Sequence, residues 1–237
     1  MDSVETDPHF CVEPCMNRIQ AHTKSALWYG KPHLARALSW KTLLPVTAAR
    51  LATISAHKLY GPKGVGALLT SPGMSKVLKP VIVGAGQQAG LRGGTQPTEL
   101  IVGFGEACRI LDEEGAAERA KVTSLRDNFV RRLKDKRLAD LVGDLEGRHP
   151  GNALMRFPGL EASDLLARFQ PKIAASSHSA CSSGSIEPSH VLRAMGYSDG
   201  FANECIRFSF GRFSTEAQVK AAVSVISDTI APDLEFD

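Results

Sequence analysis

The sequence lacks both a long apolar run and a strong excess of one charge. Its 237 residues include 28 Lys and Arg against 25 Asp and Glu, a formal net charge of +3. No segment approaches the roughly 18 consecutive apolar residues that would suggest a membrane span. The basic stretch at 131–137 is interrupted by Asp135, which favours a solvated helix face over a nucleic-acid patch. We therefore expect a globular protein that binds neither membranes nor nucleic acid.

Cysteine is sparse and irregularly placed. The five cysteines are Cys11, Cys15, Cys108, Cys181 and Cys205. An odd number without regular spacing predicts free thiols in a reducing compartment rather than a disulfide framework. The acidic residues 1–7 lack the apolar segment of a secretory signal. These features predict a cytoplasmic protein, with an organellar location left open.

Three common site motifs are missing or incomplete. A zinc site is not predicted, because no standard ligand spacing is present among His9, Cys11, Cys15 and His22. Residues 84–89 fit a dinucleotide-binding fingerprint, but Gly93, Gly94 and Pro97 follow where the phosphate-binding helix should begin. No Gly-x-Ser-x-Gly motif marks a serine hydrolase.

Hydrophobic periodicity predicts alternating strands and helices from residue 51 onward. The predicted strands are 51–54, 64–70, 80–83, 152–156 and 203–210, and a further strand leads into a Ser/Gly-rich loop at 176–185. The predicted helices are 99–113, 118–136, 161–169, 188–195 and 214–230, the last capped by Ser214. Such alternation favours an α/β architecture. Residues 1–50 are broken by prolines and show no clear period.

One candidate site is the segment Ser55–Gly64, in which Lys58 lies between a predicted strand and a Gly-Pro turn. A lysine amine is normally protonated at neutral pH, so a Schiff-base lysine needs surroundings that favour the neutral form. His57 precedes Lys58, and the Ser55 hydroxyl is suited to a phosphate oxygen. Taken alone, an ordinary exposed lysine would be the commoner interpretation.

A second candidate site is the loop Ser179–Ser189, in which small residues surround Cys181. A thiolate on such a loop could reach a sulfur atom held on a distant cofactor. The alternative is a buried structural cysteine, the commoner state of an isolated one. Cys108 lies on a predicted helix face and Cys205 in a predicted strand, so both are expected in the core.

Both segments closely resemble those of the cysteine desulfurases, pyridoxal-phosphate enzymes of the class V aminotransferase group. The resemblance implies a partial type I pyridoxal-phosphate transferase large domain of α/β type, followed by a small α+β carboxyl-terminal domain. It implies that Lys58 carries the cofactor as a Schiff base while Ser55 and His57 bind its phosphate.

The resemblance also implies how the substrate is used. Cys181 would attack the sulfur of L-cysteine, giving L-alanine and a persulfide for a sulfur acceptor such as an iron–sulfur scaffold. Arg207 matches the arginine that pairs with the substrate carboxylate, while Arg212 is expected at the surface. The segment Gly90–Thr95 resembles a loop that crosses a homodimer interface, where Thr95 would contact the partner's cofactor phosphate.

The resemblance fails in part before residue 50. The family segment His-Thr-Asp-Ala-Ala-Gln aligns with residues 22–27, where Lys24 replaces the aspartate and Leu27 the glutamine. A cation beside the pyridine nitrogen would weaken the cofactor as an electron sink. The chain thus resembles the second part of a desulfurase: 1–20 unassigned, 21–117 a remnant of the cofactor domain, and 118–237 the small domain with the catalytic cysteine loop. Selenocysteine lyase, or an inactive fragment serving as an interaction module, remains an alternative.

Overall fold

The structure is a computed structural model that describes residues 51–70, 73, 76–177 and 189–234. The chain divides into two compact units, Met1–Ala116 and Ala117–Asp237. The assignment of these units to a cofactor domain and a small domain stays a prediction.

A β-hairpin followed by a long helix organises the first unit. Strand β1 (Leu51–Ser55) pairs antiparallel with β2 (Gly66–Thr70), from Leu51 opposite Thr70 to Ser55 opposite Gly66. Helix α1 (Thr98–Asp135) begins in this unit. The core cluster of this unit consists of Ala56, Leu69, Phe104 and Cys108, so the hairpin and the helix bury their apolar faces together.

Helix α1 corrects the prediction of two separate helices at 99–113 and 118–136, because it is continuous from Thr98 to Asp135. Gly115 is the only weak helix former near the expected break, and it is buried. No proline and no capping Ser, Thr, Asp or Asn lies between residues 113 and 118. One glycine did not end the helix.

The predicted strand at 80–83 is also wrong. No regular element forms there, and Val81 and Val83 are 97% and 79% exposed. Pro80 cannot donate a ladder hydrogen bond. Among the described residues, the segment instead accepts one backbone bond, from Gly93 N to Ile82 O at 2.8 Å.

The described part of the second unit combines an antiparallel sheet with helices. Its strands, in their order across the sheet, are β3 (Asp140–Leu141), β4 (Asn152–Arg156) and β5 (Cys205–Ser209). Its helices are α2 (Ala162–Phe169), α3 (His190–Ala194), α4 (Asp199–Asn203) and α5 (Glu216–Leu234). Helix α4 and strand β3 were not predicted.

The main core lies on one face of this sheet. Side chains at alternate positions, including Ala153, Met155, Ile206 and Phe208, face it, as expected for a pleated strand. Phe129 of α1 packs against the Phe208 ring at a centroid distance of 4.9 Å. Helices α2 and α5 complete the cluster.

The opposite sheet face carries a smaller cluster of Val142, Leu192, Ala202 and Cys205, to which α3 and α4 contribute. Helix α4 begins after Ser198, whose hydroxyl accepts a hydrogen bond from Phe201 N at 3.3 Å. The Ser-Asp pair at 198–199 is therefore the start signal that sequence analysis missed.

Two details at the start of α5 differ from the predictions. Thr215, not Ser214, caps the helix, because its Oγ1 accepts from Gln218 N at 3.2 Å while Gln218 Oε1 accepts from Thr215 N at 3.0 Å. Arg212, expected at the surface, forms an ion pair with Glu118 at 2.6 Å, and both side chains are less than one-fifth exposed.

No helix among the described residues is long and apolar enough to cross a membrane. No group of three or more His, Cys, Asp or Glu in the same part of the chain is arranged to hold a metal ion.

Candidate functional site

Lys58 lies in a single 3-10 turn, Ala56–Leu59, within the connection of the β1–β2 hairpin. Ser55, the last residue of β1, directly precedes this turn. Ala56 N donates to Val65 O at 3.1 Å, and Gly61 N donates to Ala56 O at 2.9 Å. These two bonds close the turn at both ends and fix the backbone that carries Lys58.

Helix α1 packs closely against the hairpin connection that carries Lys58. A Cβ atom added to Gly103 of α1 would lie 2.7 Å from Pro62 Cγ, closer than real Cβ contacts allow. A Cβ atom on Gly61 would lie 3.2 Å from the Ala107 Cβ. The missing side chains therefore let the Gly-Pro turn pack closely on the helix.

The chemical groups of this turn fit a phosphorylated aldehyde. Lys58 and His57 are exposed, and Ser55 is half-buried. The segment therefore presents an accessible amine together with a hydroxyl and an imidazole, both able to hydrogen-bond phosphate oxygens. These three predicted residues lie within four consecutive positions of the chain, and their joint role stays a prediction.

Thr95 follows a glycine-rich loop in the same unit and is exposed. The loop closes on itself at Gly93, where an added Cβ atom would lie 2.5 Å from Val83 O. Gly94 N also donates to the Gln87 side chain at 3.3 Å. Between residues 84 and 97 the only regular element is a short 3-10 turn, Gln87–Gly90, and α1 begins at Thr98. The dinucleotide alternative therefore lacks its helix terminus.

Arg207 lies in the second unit, at the centre of β5, and is half-buried. It is opposite Leu154 in β4. Its two sequence neighbours, Ile206 and Phe208, face the main core, so Arg207 projects from the other face of the sheet. The smaller cluster of Cys205, two residues earlier, lies on that face.

Polar contacts fix the start of β5. Glu204 accepts from Arg156 Nε at 2.5 Å and from Gly159 N at 2.9 Å. The Arg156 guanidinium also lies over the Phe201 ring, 4.4 Å from its centroid. Phe201 in turn stacks on Tyr197, with 4.3 Å between the ring centroids. These contacts hold the strand that carries Arg207.

The cysteines divide between described and undescribed residues. Cys108 and Cys205 are both fully buried, which confirms the prediction that they belong to the core. The Cys205 thiol donates to Phe201 O at 3.1 Å, and burial raises its pKa to about 11. Cys11, Cys15 and Cys181 lie outside the described residues, as do Lys24 and Leu27.

A group of basic residues in the second unit, Arg119, Arg126 and His149, was not predicted from the sequence. Arg126 is only 4% exposed, and it bonds to Asp127 and to His149 O. Burial, together with the positive charges of Arg119 and Arg126, lowers the pKa of His149. The His149 Nδ1 atom accepts a hydrogen bond from Gly151 N at 3.1 Å. The arginines are spaced seven residues apart on α1, a helical signal that could have indicated a shared face.

Comparisons with known proteins show the family of this chain. The sequence model of the class-V aminotransferase family matches residues 46–222. The cysteine desulfurase IscS of Aeromonas salmonicida is 44% identical over 180 residues, covering 76% of this chain and 44% of the relative. The mitochondrial cysteine desulfurase of Saccharomyces cerevisiae is 39% identical over 214 residues, covering 90% of this chain and 41% of the relative.

Solved structures give the same result for the fold. A NifS-like protein from Rickettsia africae superposes with a TM-score of 0.69 at 27% identity, covering 80% of this chain and 49% of that one. Another NifS-like protein has a TM-score of 0.67 at 31% identity, covering 80% and 48%. The partial, mixed α/β fold that was predicted is thereby confirmed. This chain spans less than half the length of the curated relatives described above. Because the family match extends over most of its residues, the chain belongs to the class-V aminotransferases, a family of pyridoxal-phosphate-dependent enzymes.

Proposed function

We propose that this chain serves in cysteine desulfurase chemistry, in which L-cysteine loses its sulfur atom and becomes L-alanine. The observation that carries this proposal is the exposed Lys58 on a turn closed by two backbone bonds and braced by α1. The similar curated proteins are named as cysteine desulfurases, which favours L-cysteine over selenocysteine as the substrate.

Pyridoxal phosphate, when bound, supplies an electron sink for bonds at the substrate's α and β carbons. Ser55 and His57 would hold its phosphate through their hydroxyl and imidazole groups. Lys58 would hold its aldehyde carbon covalently, and the freed Nζ would move a proton to or from the substrate Cα. The exposure of Lys58 leaves room for both roles.

Arg207 would orient the substrate by binding its carboxylate. A guanidinium binds a carboxylate through two parallel hydrogen bonds, which fixes both position and direction. None of the ion pairs found among the described side chains involves Arg207. Thr95 would reach the cofactor phosphate of a second copy, so the proposed functional form is a homodimer.

Cys181 is proposed as the sulfur-accepting nucleophile. Its thiolate would attack the sulfur of L-cysteine, so that an S–S bond forms while the Cβ–S bond breaks. The electron pair of the broken bond stays on the substrate, which takes up a proton and leaves as L-alanine. The persulfide on Cys181 would then pass its outer sulfur to an acceptor thiol, such as one on an iron–sulfur scaffold.

The cofactor assignment can be tested by absorbance and peptide mapping. Added pyridoxal phosphate should produce a visible absorbance band, and borohydride reduction should fix the cofactor on Lys58. Binding should be weak, because each lost charge-assisted hydrogen bond costs about 1.5–3 kcal/mol and Lys24 and Leu27 replace two expected partners.

The matched control is Lys63→Ala, since Lys63 is also exposed in the same hairpin connection. Lys58→Ala should abolish the band and the labelled peptide, while Lys63→Ala should keep both. Equal behaviour of the two variants would refute the role of Lys58. Release of L-alanine from L-cysteine, measured in parallel, tests the proposed reaction itself.

A further inference from the structure

A serine lies directly beside Arg207 in the structure. Ser176, which lies outside the named strands, forms an isolated antiparallel bridge with Arg207 of β5. Arg207 N donates to Ser176 O at 2.7 Å, and Ser176 N donates to Arg207 O at 3.2 Å. The two residues therefore exchange both backbone bonds, as a directly opposed antiparallel pair does.

The Ser176 and Arg207 side chains project from the same face of the sheet. Directly opposed residues of antiparallel strands share a face, with Cβ atoms about 4.5–5.5 Å apart. An independent observation agrees: Ala175, one residue earlier, packs against the main core, so Ser176 must face away from it. Arg207 faces away from that core as well.

We propose that the Ser176 hydroxyl is the second group of the substrate-carboxylate site, a specificity-determining residue beside Arg207. The inference rests on the proposed function, which assigns the carboxylate to Arg207. A carboxylate offers about four acceptor positions, and a bidentate guanidinium uses two of them. The Ser176 hydroxyl, on a Cβ atom about 4.5–5.5 Å from that of Arg207, would donate to one of the two remaining acceptor positions of the carboxylate.

The surroundings suit this role. Both Ser176 and Arg207 are half-buried, so a hydrogen bond there is less weakened by water than one at a fully exposed position. In the neighbouring strand β4, on the side of β5 away from Ser176, the residue opposite Arg207 is the apolar Leu154. The hydroxyl of Ser176 therefore favours a carboxylate at one defined side of the guanidinium.

The test uses the full chain and two probes that differ in one group. L-Alanine carries a carboxylate, whereas L-alaninamide does not. Binding is followed by the NMR shifts of the Arg207 Nε–Hε pair and the Ser176 amide. We expect the wild type to prefer L-alanine, and Ser176→Ala to weaken L-alanine binding about tenfold, the size of one charge-assisted hydrogen bond. Binding of L-alaninamide should not change.

Two further variants separate the hydroxyl from the fold. Ser176→Thr keeps the hydroxyl and should retain wild-type affinity. Ser177→Ala removes the neighbouring hydroxyl, which the alternation of side chains places on the opposite face, and should have no effect. If Ser176→Ala fails to fold, Ser176→Cys replaces the hydroxyl by a weaker donor of similar shape and should show the same loss.

Each outcome decides the assignment. No preference for L-alanine in the wild type, an unchanged affinity in Ser176→Ala, or an equal loss for both probes would overturn it. Lack of L-alanine and persulfide formation from L-cysteine, with the binding pattern intact, would refute the desulfurase proposal and leave Ser176 as a carboxylate-binding residue.

Discussion

Cys108 is buried in the core cluster of the first unit and Cys205 in the smaller cluster of the second unit, and this burial predicts how the cysteines react. A thiolate is the reactive form, and the pKa of Cys205 is raised to about 11, so almost none is present at neutral pH. We expect brief alkylation of the native protein to label Cys181 before Cys108 or Cys205, as mapped by mass spectrometry. Unfolded protein, labelled in parallel, should react at all of its cysteines. Faster labelling of Cys205 than of Cys181 would contradict both its burial and the proposed loop nucleophile.

His149 predicts an acid-sensitive contribution to stability. In the folded chain its pKa is lowered, because burial and the cations Arg119 and Arg126 disfavour the protonated ring. Its Nδ1 atom also accepts from Gly151 N, which a protonated Nδ1 could not do. The unfolded chain therefore binds the proton more readily. The stabilisation is fully present above the unfolded pKa, near 6.5, and is lost as pH falls through the folded value.

The measurement is the free energy of unfolding between pH 8 and pH 5. Replacing His149 by Gln should flatten the loss below pH 6.5, since the titrating ring is gone. His190→Gln is the control for the substitution itself, because it makes the same replacement at an exposed histidine at the start of α3. Equal slopes in wild type and His149→Gln would rule out this contribution.

At the scale of elements, the contact between α1 and the lysine turn depends on one glycine. Within a helix, Gly→Ala normally stabilises by about 0.5–1 kcal/mol. At Gly103 the added Cβ would press on Pro62 at 2.7 Å, so we expect Gly103→Ala to destabilise the first unit by about 1–3 kcal/mol. Because Pro62 lies just after the turn of Lys58, labelling of Lys58 by pyridoxal phosphate should fall as well.

Gly200→Ala is the matched control for this contact. Gly200 also lies within a helix, α4, and an added Cβ there meets no atom within 4 Å. That variant should be neutral or slightly more stable in chemical unfolding. If Gly103→Ala were equally well tolerated, the close packing of α1 on the turn would not support the site.

Sequence patterns predicted the elements whose signals are local. Strand β4 and helix α2 have clear periodicity and lie within a residue of their predicted bounds. The Lys58 turn was likewise recognisable from consecutive residues. The full length of α1 was not recognisable from the sequence. Gly115 weakens the helix locally, and whether the helix continues through it depends on packing that the sequence pattern does not show. Ser176 was also missed, since its pairing with Arg207 joins positions 31 residues apart and depends on strand register.

At the scale of the whole molecule, apolar surface is unevenly distributed. The core cluster of the first unit contains only Ala56, Leu69, Phe104 and Cys108 among the described residues. The same unit exposes a short apolar segment, residues 81–83, whose members are 55% to 97% exposed. Exposed apolar residues that adjoin one another in this way are typical of association surfaces.

This segment predicts concentration-dependent association of the purified chain. Burying apolar surface gains about 25 cal/mol per Å², so a contact between copies that covers several exposed valines would stabilise the associated form. The double variant Val81→Lys/Val83→Lys should shift light scattering toward the monomer, and it should not destabilise the fold because both residues are exposed. Val191→Lys, a change of the same type at a valine that is 51% exposed on α3, should leave the scattering unchanged. A wild-type chain that stays monomeric at all concentrations, or equal effects of the two substitutions, would show that the segment 81–83 does not drive association.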